Sequence, residues 1–143
     1  MQLFDENNDI IHEKEEENII TDAINRLLAP KSFMLAKEFA CKDGTDNILI
    51  DSQLIETLEK IRNHFGAPIT INSGFRTVKH NRNVGGAKAS YHCKGMAADI
   101  VVKGHSPKEV AKYADSILEK GGVIRYTNFV HIDIRESKYR KGV

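Results

Sequence analysis

Apolar residues return at helical spacing in three stretches of the chain. Ile19, Ile20, Ala23, Ile24, Leu27 and Leu28 form one stripe with Asn25 and Arg26 off it, which predicts an amphipathic helix ending before Pro30. Leu54, Ile55, Leu58, Ile61 and Phe65 mark a second helix, capped by Asp51 or Ser52 and stopped by Gly66. The third opens on Ser106-Pro107-Lys108-Glu109, a capping box with proline at the first helical position. It continues through Val110, Ala111, Ala114, Ile117 and Leu118 and stops at Gly121-Gly122.

Elsewhere the pattern is that of strands. Residues 68–72 are rich in branched side chains, residues 97–102 read Ala-Ala-Asp-Ile-Val-Val, and shorter strands are expected near 123–125 and 129–135. Residues 33–47 predict a short helix or extended piece followed by a turn at Asp43-Gly44. Residues 73–96 carry several glycines and no clean period, so a long irregular segment is expected there; such loops in compact domains are usually functional. Helices come early and strands mostly late, which predicts an α+β fold with a small, mostly antiparallel sheet and flanking helices.

Composition narrows the class. The length of 143 residues fits one domain, and 41% hydrophobic with 29% charged residues is ordinary for a soluble globular chain. No apolar run approaches the ~20 residues of a membrane-spanning helix. Residues 1–9 are acidic and polar, unlike a secretory signal, so the chain is expected to be made in the cytoplasm. Two cysteines without a CxxC pair make no disulfide framework, and a net charge of +1 gives no case for a nucleic-acid binder. Charge is nevertheless uneven: residues 1–32 hold eight acids against three bases, and the rest holds twelve against eighteen. That break predicts an acidic N-terminal appendage over 1–32 and a basic body over 33–143. The acidic run reads as a solvated face or as a shield for a basic cleft. The Ile19–Leu28 stripe needs cover from the body or from another copy, which makes the chain a monomer or a weak dimer through that helix.

Of six histidines, His12, His64 and His105 sit where surface residues are expected, and His80 lies in the irregular segment. His92 and His131 keep different company. His92 precedes Asp99, which interrupts an apolar strand where an unpaired carboxylate would be costly to bury. His131 and Asp133 interrupt another, and strand alternation puts both on one face. Two imidazoles and a carboxylate are the three-ligand set that catalytic zinc uses, although a hydrogen-bonded His–Asp pair without metal has the same spacing.

From Ser90 to Asp99 the chain reads Ser-Tyr-His-Cys-Lys-Gly-Met-Ala-Ala-Asp, which resembles the SxHxxGxAxD signature of the M15 zinc peptidases. These are the D-alanyl-D-alanine carboxypeptidase-like enzymes, related in fold to the hedgehog signalling domain. Residues 38–44, 72–76, His80-Asn81, 84–87 and 129–135 are also similar to family segments, in family order, so the likeness covers about residues 33–140. The resemblance implies one Zn2+ per chain on His92, Asp99 and His131, with Arg76 pointing its guanidinium into the site. It implies hydrolysis of the peptidoglycan stem peptide, as a D-Ala-D-Ala carboxypeptidase or an endopeptidase; an inactive zinc-bearing binding module of the same fold is the alternative. Without a signal peptide, action on the wall is expected after release, as for a phage or prophage lysin. Some relatives place an acid where this chain has Asn128, and others a histidine where it has Phe129. Asp133 is therefore a candidate either to accept a proton or to orient His131, with His80 a further candidate base. Ser90 is open to bonding a ligand or capping a turn, while Cys93 and Cys41 read as small buried hydrophobes.

Overall fold

A five-stranded sheet with both long helices on one face organises the molecule. The structure is a computed structural model that describes residues 2–4, 36–44 and 47–143. Its elements are β1 (Gln2–Phe4), β2 (Ile48–Ile50), α1 (Ser52–Phe65), β3 (Ile69–Ser73), α2 (Val78–Asn83), β4 (Ala97–Val102), α3 (Pro107–Ile117), β5 (Gly121–Arg125), β6 (Val130–Asp133) and β7 (Lys138–Lys141), with 3-10 turns at Ala36–Phe39 and Tyr91–Lys94. The main sheet runs β3-β4-β6-β5-β7, antiparallel throughout except for the parallel β5–β7 pair, and β1 and β2 form a separate antiparallel ladder. The expected α+β class with a small, mostly antiparallel sheet is borne out.

The helix ends follow local chemistry. Asp51 caps α1 by accepting from the Gln53 N–H at 2.8 Å, and Gly66 closes it in the left-handed conformation. On α3, Ser106 and Glu109 satisfy each other's backbone N–H groups. Leu54, Leu58 and Ile61 of α1 and Val110, Ala111 and Ala114 of α3 pack on Ile71, Ala98, Ile100, Val102, Val123, Val130 and Ile132 of the sheet. Each fully buried Leu, Ile or Val there contributes about 1.5–3 kcal/mol. The alternate residues of the same strands, Asp99, His131 and Asp133, face the other way.

Three elements differ from expectation. The segment 73–96 is not irregular throughout: it holds α2 and the 3-10 turn at Tyr91–Lys94. Helix α2 has no apolar stripe to announce it; it stands on the Thr77 cap, which accepts from the His80 N–H at 3.1 Å, and on the buried Asn81. Strand β7 is polar and exposed, an edge strand without alternation, so the periodicity gave no sign of it. Gly121 and Gly122 begin β5 rather than end α3, which stops at Ile117. The amphipathic helix expected over Ile19–Leu28, the boundary near residue 32 and the dimer contact assigned to that helix lie outside the described residues. Among the described residues no helix is long and apolar enough to cross a membrane.

Candidate metal centre

Register brings the chemistry together. Asp99 of β4 lies opposite His131 of β6, and on the next pair along the same face Ala97 lies opposite Asp133. His92 arrives from the 3-10 turn, whose cap Ser90 accepts from the His92 N–H at 3.2 Å. The turn ends at Gly95 with φ +68°, where a Cβ would run into the Leu49 carbonyl, so glycine is required twice over. His92, Asp99 and His131 thus offer one ligand atom each, all within 4.8 Å of one another.

The ring nitrogens are assigned by their neighbours. His92 Nδ1 lies 2.7 Å from the Gly74 carbonyl oxygen, which can only accept, so Nδ1 carries the hydrogen and Nε2 faces Asp99 Oδ1 at 3.3 Å. His131 Nε2 lies 2.7 Å from Asp133 Oδ2 and donates to it, which turns Nδ1 toward the same Asp99 Oδ1 at 3.0 Å. Two imidazole lone pairs and a carboxylate oxygen therefore converge on one point. Such a convergence needs a positive centre, either protons on the rings or a cation. Burial alone would raise the Asp99 carboxyl, but when the rings carry the protons, hydrogen bonds from His131 and His92 outweigh it and hold Asp99 well below the usual carboxylate range. Burial disfavours the charged His131 ring, yet its bonds to Asp133 and Asp99 prevail and raise its pKa. A nitrogen, oxygen, nitrogen donor set with these tautomers fits zinc.

Two guanidinium groups frame the set. Arg76 donates from Nε to Ser73 Oγ at 3.0 Å, from Nη1 to Asn81 Oδ1 at 3.2 Å and from Nη2 to Asp99 Oδ2 at 3.4 Å. Asn81 in turn donates to the Ala87 carbonyl at 2.8 Å, tying Arg76 to the small-residue loop that follows α2. On the other side Asp133 is fully buried and accepts five hydrogen bonds: from the Gly122 N–H, the Arg135 N–H, Arg135 Nε, Arg135 Nη2 and His131 Nε2. Burial would raise the Asp133 carboxyl, but Arg135 and His131 hold it well below the usual range. A Cβ on Gly122 would enter this carboxylate.

A cavity of about 490 Å³ opens over the set. Its walls are the loop Val84–Ala87 with Ala89, the pair Tyr126 and Phe129 stacked at 4.5 Å, and Tyr91 with Arg135. Asp133 and His80 do not line it, and Asn128 is exposed outside it. With both oxygens occupied and no cavity surface, Asp133 is placed to hold His131 rather than to take a proton from a bound molecule. Cys93 is half-buried, burial pushes its thiol up, and it stands outside the donor set. Ser90 serves the turn. The sequence reading missed Asn81, Tyr91 and Arg135 as parts of the site. Arg135 carried a usable signal, lying two residues beyond Asp133 and four beyond His131 on the same alternation.

An α+β fold with a His–Asp–His set on the open face of its sheet has the donor arrangement of single-metal hydrolases, able to hold one metal ion. The chain belongs to the Peptidase M15 family, whose sequence profile matches residues 29–133. It is 35% identical over 99 residues to the peptidoglycan L,D-endopeptidase MepK of Escherichia coli (strain K12), a match covering 63% of this chain and 54% of that protein. A stretch of 44 residues is 52% identical to the zinc D-Ala-D-Ala carboxypeptidase of Streptomyces albus G, covering 30% of this chain and 17% of that protein. The match thus spans about half the length of the endopeptidase. The family resemblance carried by residues 90–99 is borne out.

Proposed function

We propose that this chain is a zinc peptidase that hydrolyses the peptide stem of bacterial peptidoglycan, with His92, Asp99 and His131 holding the metal. The observation that carries the reading is the convergence of His92 Nε2, Asp99 Oδ1 and His131 Nδ1 on the cleft floor. The similar proteins are named a peptidoglycan L,D-endopeptidase and a zinc D-Ala-D-Ala carboxypeptidase, which supports both the metal and the substrate class.

Zinc, when bound, supplies a Lewis acid that polarises a carbonyl and acidifies water. The chain's own residues do the rest. The Gly74 carbonyl keeps the hydrogen on His92 Nδ1, and Asp133 keeps it on His131 Nε2, so each ring presents its other nitrogen to the cleft. Arg76 braces Asp99 and brings a fixed positive charge to the cavity wall, where charge develops on a carbonyl oxygen under attack. A peptide lies between the small-residue loop and the Tyr126–Phe129 wall. The same reading puts its work at the cell wall.

One observation favours a second reading, a zinc-bearing module that binds stem peptides without cleaving them. Among the described residues Asp99 is the one carboxylate lining the cavity, and the lining histidines are His92 and His131, so the donor set uses every ordinary proton acceptor there. Incubating the zinc-loaded protein with intact peptidoglycan and identifying the released fragments by mass decides between them. Fragments cut within the stem are expected; unaltered peptidoglycan with full zinc loading would overturn the peptidase reading in favour of the binding module.

A further inference from the structure

Arg135 is placed for more than neutralising Asp133. Its Nε and Nη2 bond the two Asp133 oxygens at 2.8 and 2.5 Å, which occupies one edge of the guanidinium. A guanidinium has five N–H groups on a planar fork, so the end edge keeps two parallel N–H groups, one on Nη1 and the second on Nη2. The side-chain bonds of Arg135 among the described residues run from Nε and Nη2 to Asp133 and none from Nη1, and Arg135 lines the cavity beside Tyr91. The group is also held still: its centre lies 4.4 Å from the Tyr91 ring and 4.7 Å from the Tyr139 ring. Cation–ring packing of this kind fixes the plane of the fork without using its hydrogens.

We infer that Arg135 is a carboxylate anchor, a specificity-determining residue that binds an acidic group of the substrate on the side of the cavity beyond His131. Two parallel N–H groups match the two oxygens of a carboxylate, and a fork already fixed by Asp133 and two rings loses little freedom on binding. Arg76 is less available for this role, because its three bonds to Ser73, Asn81 and Asp99 draw on all three of its nitrogens, whereas Arg135 keeps Nη1 wholly unused among the described residues. The ligand class is a peptide with a free carboxylate near the bond addressed by the metal, rather than a neutral or amidated one. This inference rests on the reading of the cleft as a peptide site.

The test uses the full zinc-loaded chain and two synthetic stem tetrapeptides, one with its carboxylates free and one with them amidated. Binding is measured by calorimetry and turnover by fragment release. The unaltered protein is expected to favour the free form by roughly 10- to 100-fold in Kd or KM, the worth of one charge-assisted hydrogen-bonded pair. Arg135→Lys, which retains a cation for Asp133 but has no end edge, and Arg135→Gln are expected to shrink that preference toward unity, weakening the free form by more than any loss they cause on the amidated one through Asp133. Equal treatment of the two peptides by the unaltered protein would overturn the inference without any variant. A fall on both peptides alike, or loss of zinc in Arg135→Lys, would overturn it too, making Arg135 only a support for Asp133 and His131. Cleavage without carboxylate preference sinks this inference and leaves the peptidase reading standing. Arg135-dependent binding of the free peptide without cleavage does the reverse.

Discussion

The two faces of the main sheet put the same strands to opposite uses. Ala98, Ile100 and Val102 of β4 and Val130 and Ile132 of β6 pack against α1 and α3, while Asp99, His131 and Asp133 alternate with them toward the cleft. Burial does not distinguish the faces, since Asp133 and Ile132 are both fully enclosed. Partners do. An apolar side chain needs only area removed from water, whereas a buried carboxylate needs donors, and Asp133 has five. The helix-side face is therefore tolerant of exchange among residues of similar volume. The cleft face is not, because each of its groups is held by a particular atom.

The largest expected effect tests that difference at its centre. His131→Ala removes one of three converging donors and one donor to Asp133. Zinc content should fall toward zero, and peptide cleavage with it. A variant that stays loaded and active would take His131 out of the metal site. Arg76→Ala is expected to keep zinc and lose roughly 10²–10³ in kcat, the worth of one fixed donor to developing charge. A change below about threefold would leave the guanidinium as a brace for Asp99 alone. Asp133→Asn preserves shape but removes the charge that holds His131, and should weaken zinc affinity by about 10- to 100-fold in a chelator competition. Unchanged affinity would show that His131 needs no holder. Ile132→Val probes the opposite face of the same strand: about 0.5–1.5 kcal/mol of stability should be lost in urea unfolding, with kcat/KM within twofold. A tenfold fall in catalysis there would mean that the faces are not independent.

How far the sequence revealed this arrangement follows the same division. Elements whose apolar residues repeat were legible: α1 from Leu54, Leu58 and Ile61, and α3 from its capping box. The polar interruptions of β4 and β6 were equally visible, because Asp99 and His131 break an apolar alternation. What escaped had no period. Helix α2 rests on a cap and one buried amide, β7 lies at a polar edge, and β1–β2 joins three-residue segments far apart in the chain. The roles inside the site escaped for a different reason. Which nitrogen of His131 faces Asp99 depends on Asp133, and which edge of Arg135 is free depends on the same carboxylate; neither is a property of residue spacing. Asp133 is the clearest instance: strand alternation placed it beside His131 but left two roles open, and its five donors are a fact of tertiary packing.

Placing both long helices behind the sheet has a mechanical consequence. Among the described residues the cleft is a tray with side walls and no roof. A tunnel admits only what has a loose end to thread, but a tray receives a strand from above at any point along its length and releases the pieces the same way. A molecular mesh, tied at every junction, has few loose ends to offer. On the reading proposed above, a surface of this shape would meet such a material from outside, one tether at a time, without first taking it apart.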